Sequence, residues 1–304
     1  MSIQALTLPD LSTEAWPSPP PGHGFRLGSE AHKRLFCKTL LDTFDPYRPA
    51  IIDWPELDPD VRQRLIGLPI WDIAVQTEGR AMRRVKSYGD KIRDELLHRA
   101  VALNAYEEGR HKLVLSNLVQ AYGINLEPEP EYKASRDAEW AFMVTGFSEC
   151  IDSFFAFGLF EHAKSSGFFP EELVDTFEPV IQEEGRHILF FVNWVAWHRR
   201  NMPLWRRPWF ELKVWGVWLF LVWERMGIAR DLDVAGDGNN FTVNGAQEVG
   251  GDIEITALMD LCLSENDRRL GGYDARLLRP RFVPAMVRLA RRFMKRPQAR
   301  PAAA

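Results

Sequence analysis

The chain has 304 residues, 46% of them hydrophobic and 26% charged, which is enough to bury a sizeable core and too apolar for global disorder. A net charge of -4 with acidic and basic residues interspersed leaves no overall basic character, so nucleic acid is not expected as a partner. Three distant cysteines, Cys37, Cys150 and Cys262, form neither a Cys-x-x-Cys pair nor an even disulfide framework, which fits a reducing cytoplasm.

The first 25 residues, MSIQALTLPDLSTEAWPSPPPGHGF, have no positively charged start and no continuous apolar run. They read as an arm, disordered or wrapped over the surface, rather than a secretory signal. Ser29 is a candidate N-cap for a helix through SEAHKRLFCKTLLDTF, and the proline-rich PYRPAIIDWPELDP after it must be extended or turning. From Pro69 the apolar period turns helical: a first arm through PIWDIAVQTEGRAMRRVK, a break at SYGD, and a second arm through KIRDELLHRAVALNAYEEGRHKLVLSNLVQAY up to Gly123.

The stretch GINLEPEPEY is a linker by composition, and a second hairpin follows it. Its first arm runs from about Ser135 to AEWAFMVTGFSECIDSFFAFGLFEHAK, its turn is SSGFFP, and its second arm is EELVDTFEPVIQEEGRHILFFVNWVAWHRR, where Pro179 should kink the helix. Beyond it come a Trp-rich helix, a Gly/Asn-rich loop through AGDGNNFTVNGAQEVGG, two shorter helices and a basic tail. The longest apolar run, VWGVWLFLVW at 214–223, is half of the roughly 20 residues a membrane span needs. No segment shows sustained strand alternation, so the class is all-α, and two long hairpins joined by one linker follow the plan of a four-helix bundle. The expected organisation is an N-terminal arm with leading helices over 1–68, the bundle over 69–200, and a helical extension with its basic tail over 201–304.

Two of the seven histidines close the same pentapeptide, EEGRH, at 107–111 and again at 183–187. Residues three apart share a helix face, so Glu108 with His111, and Glu184 with His187, each offer one carboxylate and one imidazole to the same point. Two Glu-x-x-His helices plus one Glu from each of two others is the ligand set of dinuclear iron or manganese bundles.

The first arm offers Asp72 and Glu78. Glu78 lies on the apolar stripe of Trp71, Val75, Met82 and Val85, while Asp72 lies on the polar face. The third helix offers Glu149, Asp152 and Glu161; Glu149 shares its face with Phe142, Gly146, Ser153 and Ala156 and is expected as the ligand, with Asp152 as its neighbour or substitute. Four carboxylates converging in an apolar interior repel one another, and two divalent ions would cancel their charge. A lone Glu-x-x-His carries little information, since roughly one arises by chance in such a chain. Glu95 and His98 make one, without a twin and on another face of the same helix.

With these residues the sequence resembles the ferritin-like di-iron carboxylate oxygenases, of the bacterial multicomponent monooxygenase and ribonucleotide reductase small-subunit type, whose second motif half is Asp-Glu-x-Arg-His. The ligand spacings, 30 residues from Glu78 to Glu108 and 35 from Glu149 to Glu184, are similar to that family's. The resemblance covers residues 69–200 and implies a ferritin-like bundle with two iron ions, two manganese or a mixed pair. It implies that Glu107 and Glu183 accept a hydrogen bond from a ligating histidine, usually of the opposite motif, and that Arg110 and Arg186 pair with these outer acids. Ser153 stands where such monooxygenases place a hydroxyl that hands protons to bound oxygen; a serine capping a helix carbonyl is the plain alternative.

Three departures narrow the choice. The radical-forming tyrosine of the reductases is replaced by Leu115, no Cys-x-x-Cys module of the rubrerythrin kind is present, and the extra histidine of the aminoarene N-oxygenases is Val180 here. The implied activity is O2-dependent hydroxylation, N-oxidation or desaturation of a small apolar or aromatic molecule, walled by phenylalanines such as Phe154, Phe155, Phe157, Phe160, Phe190 and Phe191. With no flavin, nicotinamide or ferredoxin motif, electrons must come from an external ferredoxin or flavoprotein reductase. A di-manganese catalase and a non-catalytic iron-binding protein are the other readings. Trp205, Trp209, Trp215, Trp218 and Trp223 pack across the bundle or meet a membrane surface peripherally, and a homodimer stays open.

Overall fold

The computed structural model describes residues 7–18, 25–129, 131–132, 135–235, with backbone alone beyond 225, and 253–294. Every element among them is helical. The Gly/Asn-rich loop and the end of the basic tail lie outside the described residues.

Helix α1, Glu30–Asp42, starts where Ser29 Oγ accepts from the backbone N–H of His32. After a short turn at Pro49–Ile51 comes α2, Pro59–Gly67, which the apolar period of the sequence does not single out; Pro59 opens it, its fixed φ and missing N–H suiting a first turn. The first long arm is α3, Trp71–Gly89. It continues through the expected break at SYGD because Tyr88 is buried, stacked on Phe142 with ring centroids 4.5 Å apart. Helix α4, Glu95–Tyr122, is capped by Asp94, which accepts from the Leu97 N–H, and stops at Gly123, whose φ of 69° a glycine adopts without strain. Helix α5, Ala138–Ser165, is capped in the same way by Asp137.

The second hairpin departs from expectation at Pro179. A short α6, Glu171–Asp175, is separate from α7, Glu178–Asn201, and Pro179 lies in the first turn of α7. No kink forms because a first-turn residue has no intrahelical acceptor for its N–H, so proline costs nothing there. The chain continues through α8, Arg207–Ala235, α9, Ile255–Gly271, and α10, Phe282–Phe293.

Helix α3 packs along α4 and α5, and α7 packs on α5 and meets α4, so these four helices enclose one interior. Helix α1 lies against α4 and α7, and the core it joins also contains Phe210, Val214, Val217 and Leu221 from α8. Helices α1 and α8 therefore share one hydrophobic core with the central four, while Leu65 of α2 packs in a second cluster and Cys262, Val283 and Val287 of α9 and α10 in a third. Helix α9 lies close along α5: a Cβ on Gly158 would stand 2.4 Å from Cys262 Sγ and 2.9 Å from its backbone nitrogen. Among the described residues α5 alone is long and apolar enough to cross a membrane, yet 61% of its most apolar window is buried, and it carries Glu149.

Candidate metal centre

Each of the four central helices brings acid to the shared interior. Glu78 of α3, Glu108 and His111 of α4, and Glu184 of α7 form one group; Glu108, Glu149 of α5 and His187 of α7 form a second. Within each group every residue offers a ligand atom within 4.8 Å of the others. Glu108 belongs to both groups, and the two imidazoles lie 5.6 Å apart. His111 Nδ1 is 3.2 Å from Glu184 Oε1 and 3.6 Å from Glu78 Oε2, while His187 Nδ1 is 3.0 Å from Glu108 Oε1. The grouping is crossed relative to the simple expectation for the second pentapeptide: Glu184 joins the histidine of the first, not its own His187.

The far side of each imidazole is held by the other motif. His111 Nε2 lies 2.8 Å from Glu183 Oε2, and His187 Nε2 lies 2.8 Å from Glu107 Oε2. Arg110 donates to Glu183, and Arg186 donates to Glu107. All six of these side chains are buried. Both guanidinium groups also reach residues 40–47: Arg186 donates to the Leu40 carbonyl at 3.0 Å, and Arg110 to the carbonyls of Asp45 and Tyr47 at 2.6 and 3.2 Å. Tyr47 lies flat against Arg110, 3.9 Å from ring centroid to guanidinium, and its hydroxyl donates to Glu183 at 3.3 Å. Sequence reasoning misses this brace; an aromatic beside a proline-rich turn carries no spacing signal.

These contacts decide what the inner nitrogens can do. A carboxylate already bonded to arginine only accepts, so each Nε2 carries the hydrogen and each Nδ1 of a neutral ring turns a lone pair inward. There His111 Nδ1, His187 Nδ1, Glu108 Oε1 and Glu149 Oε1 are buried with no hydrogen-bond partner. Lone pairs at 3.0–3.2 Å without a hydrogen between them repel, so a cation must lie among them, either protons or metal. The residues thus fit metal ions: four carboxylates balance two divalent charges, and the outer Glu107 and Glu183 are balanced by Arg110 and Arg186. The cysteines are buried elsewhere, and neither group contains one.

Without metal, protons take that place. Burial opposes charge on both imidazoles, yet hydrogen bonds to the surrounding carboxylates, led by Glu183 for His111 and Glu107 for His187, hold both well above the usual histidine range. Burial, reinforced by Glu108 and Glu184, drives the Glu149 carboxyl well above its usual range. Burial likewise pushes Glu78 up to about 8, against the pull of His111 and with the Glu108 and Glu184 charges adding to the rise. Folded metal-free protein therefore keeps a proton on Glu78 that the unfolded chain releases above its ordinary value of about 4.5, so stability is present at low pH and declines as pH rises toward about 8. Urea unfolding of the metal-free protein should show this loss, on the order of 3 kcal/mol. Glu78→Gln should reduce that slope, with Glu149 and the two imidazoles keeping part of it; an unchanged slope would contradict the assignment.

Ser153 donates to Glu184 Oε2 at 3.0 Å, so its hydroxyl touches a ligand carboxylate rather than capping a helix carbonyl. Asp152 is not drawn in: it turns toward α8, where Arg225 donates to it at 2.6 Å, and Ser148 also bonds it. One residue of helix rotation separates the two fates. His98 lies away from both groups, its Nδ1 3.0 Å from the Gly89 carbonyl, tying α3 to α4. Of the phenylalanines expected to wall the site, Phe154 packs with Cys262, Val283 and Val287, and Phe190 with Phe36, so these are ordinary core residues.

Comparison of the chain with models of known families, with curated proteins and with solved structures finds no match. The site therefore stands on its own geometry.

Proposed function

We propose that the protein is an O2-dependent oxidoreductase with a ferritin-like four-helix bundle and a di-iron centre, which hydroxylates, N-oxidises or desaturates a small apolar or aromatic molecule. The observation that carries this reading is the pair of imidazoles whose outer nitrogens are bonded to buried acids while their inner nitrogens face four carboxylates from four helices. A donor set of carboxylate and imidazole without thiolate suits iron or manganese rather than structural zinc. When bound, a pair of such ions supplies redox chemistry with O2.

The chain's own part is positional. Glu107 and Glu183 fix the ring orientations, and Arg110 and Arg186 hold those acids in place by donating to them. Ser153, bonded to Glu184, can relay a proton into it. No electron-carrying motif accompanies the site, so reduction comes from an external ferredoxin or flavoprotein reductase.

Anaerobic loading with ferrous iron should give about two irons per chain, and O2 should be consumed only after reduction. Two bound irons that leave O2 untouched would overturn the oxygenase reading. Preferential uptake of two manganese ions with peroxide dismutation would replace it with a catalase.

A further inference from the structure

Helix α8 is apolar on two sides, and only one of them is covered. Phe210, Val214, Val217 and Leu221 enter the core at 4-3-4 spacing. On the other side Trp209, Leu212, Trp215, Leu219 and Trp223 follow one another at helical spacing in solvent, with Trp209 70% and Trp215 64% exposed, and Trp205 extends the row from the short turn Leu204–Arg206 before the helix. Helix α10 repeats the arrangement: Val283 and Val287 face inward, while Phe282, Met286, Leu289 and Phe293 face outward, Phe293 at 80%. Trp218 and Phe282 touch across the seam, ring centroids 4.7 Å apart, so the two stripes are one surface. Isolated exposed apolar residues need no explanation, but a continuous face of this size marks an interaction site.

We propose that this face of α8 and α10 seats the protein on an anionic lipid bilayer. Two observations favour a bilayer over another protein surface. Four strongly exposed tryptophans lie along one edge, and tryptophan is the side chain whose apolar ring and N–H suit the boundary between headgroups and acyl chains. The charge leans one way as well: residues 206–225 and 281–294 contain eight Arg or Lys against two Glu, and α10 has no acid at all, although Lys213 is paired with Asp137 and Glu139 and Arg225 with Asp152. Glu211 is paired with Arg199, and the second acid is Glu224; from the neighbouring α9, Asp260 pairs with Arg291 and Asp267 lies 3.7 Å from Arg288. Arg281 and Arg292 have no ion-pair partner among the described residues. Insertion of rings flanked by free guanidinium groups is the pattern of a helix lying in an anionic interface.

A cavity of about 460 Å³ opens in the seam of this face, between α5, α7, α8 and residues 279–283, with Trp218, Leu219 and Phe282 at its wall. Phe147 and Cys150 of α5 line it too, and Cys150 follows Glu149 directly. An apolar molecule dissolved in the bilayer would meet this cavity first; that consequence rests on the oxidoreductase reading, whereas docking does not.

The test is sedimentation of metal-free and metal-loaded protein with phosphatidylcholine vesicles, with and without phosphatidylglycerol, alongside tryptophan emission. Both forms should bind the anionic vesicles with blue-shifted emission, more weakly as salt is raised. A combined Trp209→Ser, Trp215→Ser, Trp223→Ser variant should lose binding about tenfold or more, and Arg281→Glu with Arg292→Glu should remove the preference for the anionic lipid. Ile51→Ser, at an exposed apolar residue of the 49–51 turn, should bind as wild type. Equal binding to both vesicle types, no binding at all, or a soluble dimer that the triple variant dissolves would overturn the proposal; loss of metal with docking intact would count against the metal reading alone.

Discussion

Replacing Glu108 by alanine is expected to strip the protein of metal, from about two ions per chain to near none after iron loading. Glu108 is the one side chain shared by both ligand groups, and without it the second keeps only Glu149 and His187. Two donors do not hold an ion against water. The first keeps Glu78, His111 and Glu184 but loses the carboxylate that ties it to its neighbour. Losing even an outer hydrogen-bond partner of a ligand costs 10- to 100-fold in affinity, as an order of magnitude, and losing a shared ligand costs more. Elemental analysis after desalting measures the loss. His98→Ala is the control: its ring bonds the Gly89 carbonyl outside the site, so metal content should be unchanged. Two metals at full occupancy in Glu108→Ala would sink the site.

Glu107→Ala should be the most destabilising change in the outer ring, by about 3 kcal/mol in urea unfolding of the metal-free protein. The substitution removes the acceptor of His187 Nε2 and the nearest counter-charge of Arg186, both buried. Arg186 keeps the Leu40 carbonyl and a second carboxylate, Glu183, at 3.3 Å, which limits the damage. Glu107→Gln should cost less, because its amide oxygen still accepts from His187. Arg186→Ala together with Glu107→Ala should cost less than the sum of the two, since the second change removes the charge the first left unpaired. Additive single effects, or a Glu107→Ala variant within about 0.5 kcal/mol of wild type, would mean that the network does not hold the helices together.

Much of the centre is readable along the chain because helices have a fixed period. Glu78 falls on the stripe of Trp71 and Val75, and Asp72 does not, so the inward carboxylate of α3 follows from spacing alone; in the fold Asp72 accepts from the Glu127 backbone N–H at the surface. Glu149 and Asp152 were harder to separate, being one turn apart on nearly the same face. Spacing favours Glu149, and the reason Asp152 stays out lies on α8, where Arg225 draws it outward, a contact that no local pattern contains. Pro179 was misread for a related reason: its effect depends on whether a helix is already running when the chain reaches it.

By itself the sequence determined the all-α class, the doubled Glu-x-x-His and the six residues that offer ligand atoms, because each depends on residues within one or two helical turns. Only the tertiary structure decided which ligand stands with which, that Glu184 faces His111 and that Glu108 serves both groups. It also decided that residues 40–47 brace both arginines, and which apolar side of α8 is left in solvent. Each of these is set by how one helix is rotated and shifted against another. That quantity comes from the packing of side chains far apart in the chain, and periodicity within a helix does not contain it.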